Sequence, residues 1–399
     1  MLRFTKDDGT DFPDWEEKKI GDIGCFIKGA GLSKADISNV GTPLILYGEL
    51  YTTYSEVAYD IKRKTQAIVD DKYYSLVGDV IIPTSGESAE EISTATCVMV
   101  PGVVLGGDLN IFRSSILDGR IMSYILNHQA KWKIAAIAQG KSIVHVQAKQ
   151  LANISVTYPV SECEQQKIAD SLSTIDTVIE KQKATVKAWE ERKKGVMQKL
   201  FSQEVRFKAD DGSEFPDWEE KPFGEIVSEF KIKTKTEDED VLLSCAIGGV
   251  FLNSELFGHQ RGKSNIGYLK IQKGTLILSA QNLHLGNANV NMRFEHGIIS
   301  PAYKTYNIVG CSIEYMSQWV KWDRTKQFFY NATTVGASEC RRNVDWDMLY
   351  SQNFSVPCLD EQQKIANCLS SLDDVIEKQK ATLEAWKEMK KGLLQQMFV

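Results

Sequence analysis

Residues 164–201, EQQKIADSLSTIDTVIEKQKATVKAWEERKKGVMQKLF, align without a gap to residues 361–398, EQQKIANCLSSLDDVIEKQKATLEAWKEMKKGLLQQMF. An internal repeat of this length decides the architecture before any local reading does. A second pair of motifs precedes it: RFTKDDGTDFPDWEEKKIGDI from Arg3 and RFKADDGSEFPDWEEKPFGEI from Arg206. The order is short motif, block, long segment, and then the same again. The blocks between the paired motifs, residues 24–163 and 227–360, match each other far less. A constant frame carries a variable filling.

The long segment has the pattern of a helix with one sticky stripe. Apolar residues at Ile168, Leu172, Ile175, Ile179, Val186, Trp189, Val196 and Leu200 recur in steps of three and four that add to seven, the spacing that keeps a seam facing a partner helix. The second copy supplies Ile365, Leu369, Leu372, Ile376, Leu383, Trp386, Leu393 and Met397. The simplest partner for each helix is the other; packing of each stripe onto its own domain is the alternative. Gln182 and Gln379 interrupt the two seams at equivalent places, as do Lys193 and Lys390, and such groups trade stability for register. At 1.5 Å per residue each helix extends about 57 Å. Pro159 and Pro357 close the preceding strands, and Gly195 and Gly392 are expected to weaken the last turns.

A chain of 399 residues suits two or more domains. We place them at 1–160 and 204–357, separated by long helices at 161–203 and 358–399, in an α+β fold of two similar mixed α/β domains. GDVIIPTS (Gly78–Ser85) and GTLILSAQ (Gly274–Gln281) are short apolar runs bounded by turn residues and are expected as buried strands. They align loosely through Tyr74 with Tyr268 and Gly78 with Gly274, so the two blocks are expected to share a fold. The longest apolar run is too short to cross a bilayer, and the opening MLRFTKDDGTDFPDW lacks the layout of a secretory signal, which gives the expectation of a cytoplasmic protein. Eight cysteines without a CxxC pair read as reduced thiols. A net charge of −6 argues against holding a polyanion by bulk charge alone.

Catalytic signatures are missing. GKS occurs at Gly140 and at Gly262, but the glycine that a phosphate loop needs five residues earlier is Ala135 in one case and Phe257 in the other. The sequence has no D/N-P-P-Y/F motif for adenine methylation and no GxGxxG after a strand, and the five histidines lack metal-ligand spacing. No cofactor and no metal are expected. DDGTDFPDWEE lacks the alternating ligands of a calcium loop and reads as a structural turn anchored by Phe12 and Trp15.

The chain resembles, over almost its whole length, the specificity subunit of type I restriction-modification systems. The PDWEEK openings at Pro13 and Pro216, the GDV and GTL strands, GGDLNIFR from Gly106 to Arg113, and EQQKIA helices placed after ISVTYP and FSVPCL carry the resemblance. It implies two target recognition domains, each reading one half of a split site in double-stranded DNA, and two helices in an antiparallel coiled coil that fixes the gap. It implies further that two methyltransferase subunits dock on this frame and that restriction subunits join through them, while the chain itself is not an enzyme. A coiled-coil scaffold that does not bind DNA is the alternative, and an enzyme of unrecognised type a second.

If DNA is the ligand, Lys and Arg should meet phosphates while Arg, Lys, Asn, Gln or Ser reach base edges. In the first block Lys28, Lys34, Ser85, Arg113, Lys141 and Ser142 lie in expected loops near glycines; in the second we single out Lys263, Gln281, Asn282, Arg293, Arg341 and Arg342. Arg341 and Arg342 follow the GAS turn, at a place matching Gly140–Ser142. Each block is close to neutral, so binding by the chain alone should be weak and strongly dependent on salt.

Overall fold

The long helices span Glu162–Phe201 and Leu359–Phe398 without a break, so Gly195 and Gly392 do not interrupt them. Pro159 and Pro357 each follow a strand, Ser155–Tyr158 and Asn353–Val356. The computed structural model describes residues 2–140, 143–257, 264–338 and 341–398, with 335–338 and 341 as backbone only. None of the described helices is long and apolar enough to cross a membrane. The chain divides into two units, Met1–Lys183 with Ala381–Val399, and Ala184–Lys380. The division falls inside both long helices, so each unit holds the first half of one and the second half of the other.

In the first unit a five-stranded sheet has the order Cys25–Lys28, Leu109–Arg113, Asp79–Pro83, Thr96–Val98 and Val57–Ala58. The second unit has a four-stranded sheet in the order Val227–Phe230, Tyr303–Ile308, Leu276–Ser279 and Ala288–Val290. The two central arrangements share one register. Ile82 lies opposite Asn110 and Leu278 lies opposite Lys304, and each apolar residue stands at the same distance from a glycine that opens the strand. Those glycines, Gly78 and Gly274, have φ of +90° and +85°, a conformation that side chains with a Cβ rarely adopt. The loose sequence match between the blocks thus marks a common turn and strand.

The short motifs join the long segments by strand pairing. Glu16–Lys19 pairs antiparallel with Ser155–Tyr158, and Glu219–Pro222 with Asn353–Val356, immediately ahead of each long helix.

Within each unit the two half-helices run antiparallel. Asp176 meets Lys390 at 2.6 Å in the first unit, where Ile168 and Leu172 share one core with Leu394 and Phe398. In the second, Glu190 meets Lys380 at 3.0 Å and Lys193 meets Asp373 at 2.6 Å, so the partner number falls as the helix number rises. Ile168, Leu172, Ile175, Ile179 and Val186 are buried, as are Ile365, Leu369, Ile376 and Leu383, while Leu372, Trp189 and Trp386 are half-buried. Near their ends the helices also enter globular cores. Tyr124 and Ile121 pack with Leu394, Met397 and Phe398, and Tyr315 and Trp319 with Met197, Leu200 and Phe201. The buried face widens there from a narrow seam to the broader stripe of a helix in a globular domain, so Met197, Phe201, Leu394 and Phe398 lie deeper than Val196 and Leu393 of the regular spacing. Mutual pairing and packing onto the domains, set out as alternatives above, are both present.

Candidate nucleic-acid interface

The paired strands Cys25–Lys28 and Leu109–Arg113 place two of the singled-out cations at opposite ends. Lys28 lies across from Asn110, and Arg113 across from Cys25. At the Lys28 end a cleft of about 530 Å³ opens, lined among others by Thr84, Asp108, Asn110, His145 and Lys149. Ser85 adjoins it, 9 % exposed and paired through its backbone with His145. Gln139 also bridges to His145, which brings the stem of the 140–143 segment to the same edge. Lys141 and Ser142 themselves lie outside the described residues.

The floor and wall of this cleft are tied by side chains that the sequence reading did not single out. Asn110 is fully buried; its Nδ2 donates to the Val146 carbonyl at 3.2 Å, while its Oδ1 has no hydrogen-bond partner. Asp108 has φ of +56°, a left-handed conformation that Asp tolerates better than most residues. Its carbonyl accepts from the Thr84 amide at 2.8 Å, and Thr84 in turn accepts from the Val146 amide at 3.0 Å. A second cleft, of about 640 Å³, shares Asp108 with the first and includes Lys34, Tyr47, Glu49 and Arg63. Lys34 opens a 3₁₀ turn capped by Ser33. Arg63 is held by Glu49 at 2.9 Å, whereas Lys28, Lys34 and Lys149 have no acidic partner among the described residues.

Arg113 is placed differently. It donates to both carboxylate oxygens of Asp79 at 2.8 and 2.9 Å and to the Tyr74 carbonyl at 2.7 Å, and the bonds to Asp79 raise its pKa against burial. The expectation that these residues sit in loops needs correction. Lys28 and Arg113 end strands, Ser85 belongs to a short strand, and Arg341 and Arg342 begin another, Arg341–Val344. The expected GAS turn lies within the strand Thr333–Ser338, which pairs with Arg341–Val344. The reason is physical: glycines beside strand ends permit close backbone approach, and the same residues look like loop markers in a sequence.

In the second unit, Gln281 and Asn282 are exposed in the turn after Leu276–Ser279, where the Asn282 amide donates to Ser279 Oγ at 3.1 Å. Arg293 makes a two-pronged pair with Glu255 at 2.9 and 2.7 Å. Arg342 donates to Thr333 Oγ1 and to the Thr333 carbonyl, both at 2.7 Å, and lies 4.2 Å from the Tyr330 ring centre. Lys263 is outside the described residues, and only the backbone of Arg341 is described. The turn with Gln281 and Asn282 follows the strand whose counterpart leads to Ser85, so these residues fall on one corner of the shared fold.

The frame is held by two matching sets of contacts. Glu164 is fully buried and accepts from Arg3 Nε and an outer guanidinium nitrogen at 3.1 and 3.0 Å and from Trp15 Nε1 at 3.2 Å. Glu361, equally buried, accepts from Arg206 at 3.1 and 2.8 Å and from Trp218 Nε1 at 3.0 Å. The next residue bonds forward into the block. Gln165 donates to the Pro159 carbonyl at 2.8 Å and accepts from the Asp118 amide at 2.7 Å; Gln362 donates to the Pro357 carbonyl at 2.8 Å and accepts from the Ser312 amide at 2.7 Å. The repeated letters EQ and the repeated Arg and Trp are two halves of one lock, made twice.

The seam-breaking lysines are also matched. Lys390 reaches Asp176 at 2.6 Å and Glu56 at 2.8 Å, and Tyr124 donates to Asp176 at 3.0 Å. Burial works against charge on this carboxylate and this ammonium alike. For Glu56 the His128 and Lys390 contacts win and hold its pKa down at about 2; for Lys390 the two acids win and raise it. Lys193 has one acid, Asp373, itself bonded by Gln318 at 3.0 Å, and burial prevails to lower its pKa. Sequence spacing exposes the two lysines as interruptions, but the acids that answer them are distant in sequence, Asp176 and Asp373 on the other helix and Glu56 in the first block.

A family model described as the type I restriction modification DNA specificity domain matches residues 13–188. The type I restriction enzyme MjaVIII specificity subunit of Methanocaldococcus jannaschii is 24% identical over 405 residues, covering 96% of this chain and 91% of its own. The putative type I restriction enzyme MjaX specificity subunit of the same organism is 23% identical over 410 residues, covering 96% and 92%. Among solved structures, the S subunit of a type I restriction-modification system from M. genitalium superposes with a TM-score of 0.57 at 15% identity, covering 100% of this chain and 99% of that one. A chain from a structure addressing complex assembly and conformational transition of the type I R-M system gives 0.53 at 13%, covering 97% and 98%.

Proposed function

We propose, from its place among the type I specificity subunits in sequence and in fold, that this chain is the DNA-reading subunit of a type I restriction-modification complex and carries no catalysis of its own. Residues 1–160 and 204–357 act as target recognition domains, each meeting one half of a two-part site in double-stranded DNA. The long helices at 161–203 and 358–399 set the gap and, with the short motifs locked onto them, offer two equivalent seats for methyltransferase subunits. Restriction subunits join through these, and the assembly works in the cytoplasm.

The observation that carries this reading is the doubled lock, Arg3–Glu164–Trp15 and Arg206–Glu361–Trp218, around blocks whose side chains differ. A constant mounting with exchangeable contents suits a pair of readers. Lys28, Lys34, Ser85, Lys141 and Ser142 serve the first half-site, and Lys263, Gln281, Asn282, Arg341 and Arg342 the second. Arg113 and Arg293, each in a two-pronged pair with an acid, act mainly by positioning their loops and strands. Methylome sequencing of a host carrying the chain with its methyltransferase should return one asymmetric two-part motif with a fixed gap. An undivided motif, or methylation without a motif, overturns the proposal.

A further inference from the structure

Resting on that reading, we propose that the cleft beside Lys28 recognises one amino-bearing base, adenine or cytosine, of the first half-site, with Asp108 as the acceptor and Lys28 and Lys149 on the flanking phosphates. Three features of the cleft converge on this. Among the described residues its only acid is Asp108, exposed and held in a left-handed backbone by the Thr84 amide at 2.8 Å. Strain of this kind persists where neighbours enforce it, and it aims the side chain at a fixed place. Below it, Asn110 Oδ1 is, among the described residues of this unit, the one buried side-chain polar atom without a partner. Asp108 Oδ1 accepts from Thr84 Oγ1 at 3.4 Å, and the exposed carboxylate has lone pairs left for a further donor. In the major groove the only base-edge donors are the amino groups of adenine and cytosine. Around this acceptor stand Lys28 and Lys149, free of acidic partners among the described residues, where backbone phosphates flank a base.

The second unit keeps the strand register but neither the left-handed backbone of Asp108 nor the chemistry. The Ala280 amide donates to the Ala302 carbonyl at 3.2 Å, repeating the bond from Thr84 to Asp108, so alanines stand where the first unit has Thr84 and Asp108. At the register position of Asn110 stands Lys304, paired with Glu229 at 2.8 Å and 4.1 Å from the Trp346 ring centre. A position kept in strand register and changed in side chain is where two readers of unlike half-sites should differ. Asp108 is the reader; Asn110, sealed from solvent, is a positioning residue that ties the floor to Val146.

Asp108→Gly removes the acceptor while suiting the left-handed backbone. Methylome sequencing of this variant with the methyltransferase should show the first half-motif degenerate at one base, with discrimination there lowered by a factor of about 5 to about 100, and the second half-motif intact. The second half-motif reports that the chain is folded and assembled. If all methylation disappears, Asp108→Asn, which keeps the side-chain shape, takes its place and must alter the same single position. Lys28→Ala with Lys149→Ala should lower methylation at every site, leave the motif letters unchanged, and reduce the salt dependence of duplex binding by about one unit of slope per lysine. Unchanged first half-motifs in the Asp108 variants overturn the inference while the DNA-reading assignment stands. Failure of the unaltered chain to give any two-part motif overturns that assignment instead.

Discussion

At the scale of single residues, the costliest groups in this chain are its buried charges. Lys390 sits among Glu56, Asp176, His128 and Tyr124, and the arrangement joins the reader block to both long helices within one unit. Replacing Lys390 by Ala leaves two carboxylates facing each other without a cation, and should destabilise that unit by about 3–5 kcal/mol. Urea unfolding followed by far-UV circular dichroism measures this. The triple change Lys390→Met, Glu56→Gln, Asp176→Asn should recover most of the loss, since it removes the charges rather than stranding them. The pH dependence has a definite sign. Glu56 is depressed from 4.5 to about 2 in the folded chain, so its contribution is complete above about pH 4.5 and is lost as pH falls toward 2. The stability difference between the unaltered chain and Glu56→Gln should therefore shrink over that interval, and a difference independent of pH refutes the assignment.

At the scale of elements, the long helices were legible because their seam repeats every seven residues and because the segment occurs twice. The packing of their last turns was not, since these bury Phe201 against Tyr315 and Trp322, and Phe398 against Trp15 and Tyr124. Those partners are far away in sequence, and a periodicity counts only one helix at a time. The same limit explains Arg113 and Arg293. Each looks like a free cation in a polar stretch, and each is answered by an acid, Asp79 or Glu255, that only folding brings near. The antiparallel pairing within each unit sharpens the test of the spacer role, because a change in one helix must be matched in the other. Inserting seven residues near both Gln182 and Gln379 preserves the seam's phase and lengthens the helix pair by about 10 Å. At 3.4 Å per base step this is about three base pairs. The methylome should show the same half-motifs with a wider gap; an unchanged gap removes the spacer role and leaves the reading role untouched.

At the scale of the whole molecule, function follows from the separation of a repeated frame from dissimilar contents. The frame was readable because identical letters recur at Arg3 and Arg206, Trp15 and Trp218, Glu164 and Glu361, and each set makes the same bonds. The contents were readable only as a shared strand and turn, because the two blocks keep strand register and not side chains, as at Asp108 and Ala302. This modularity can be tested without knowing any contact. Residues 24–160 enter and leave the frame through the strands Glu16–Lys19 and Ser155–Tyr158, and the lock on Glu164 lies outside the exchanged segment. Replacing them with the corresponding block of a type I specificity subunit should therefore leave the second block and the helix pairing in place. Methylome sequencing should then show a new first half-motif, the old second half-motif, and the old gap. Net charge of −6 adds a condition to any binding assay on the purified chain: affinity for duplex DNA should be weak and fall steeply with salt, because only local cations release counterions. A swap that changed both half-motifs, or neither, means that the two blocks are not independent readers, and the proposal of separable recognition domains falls with it.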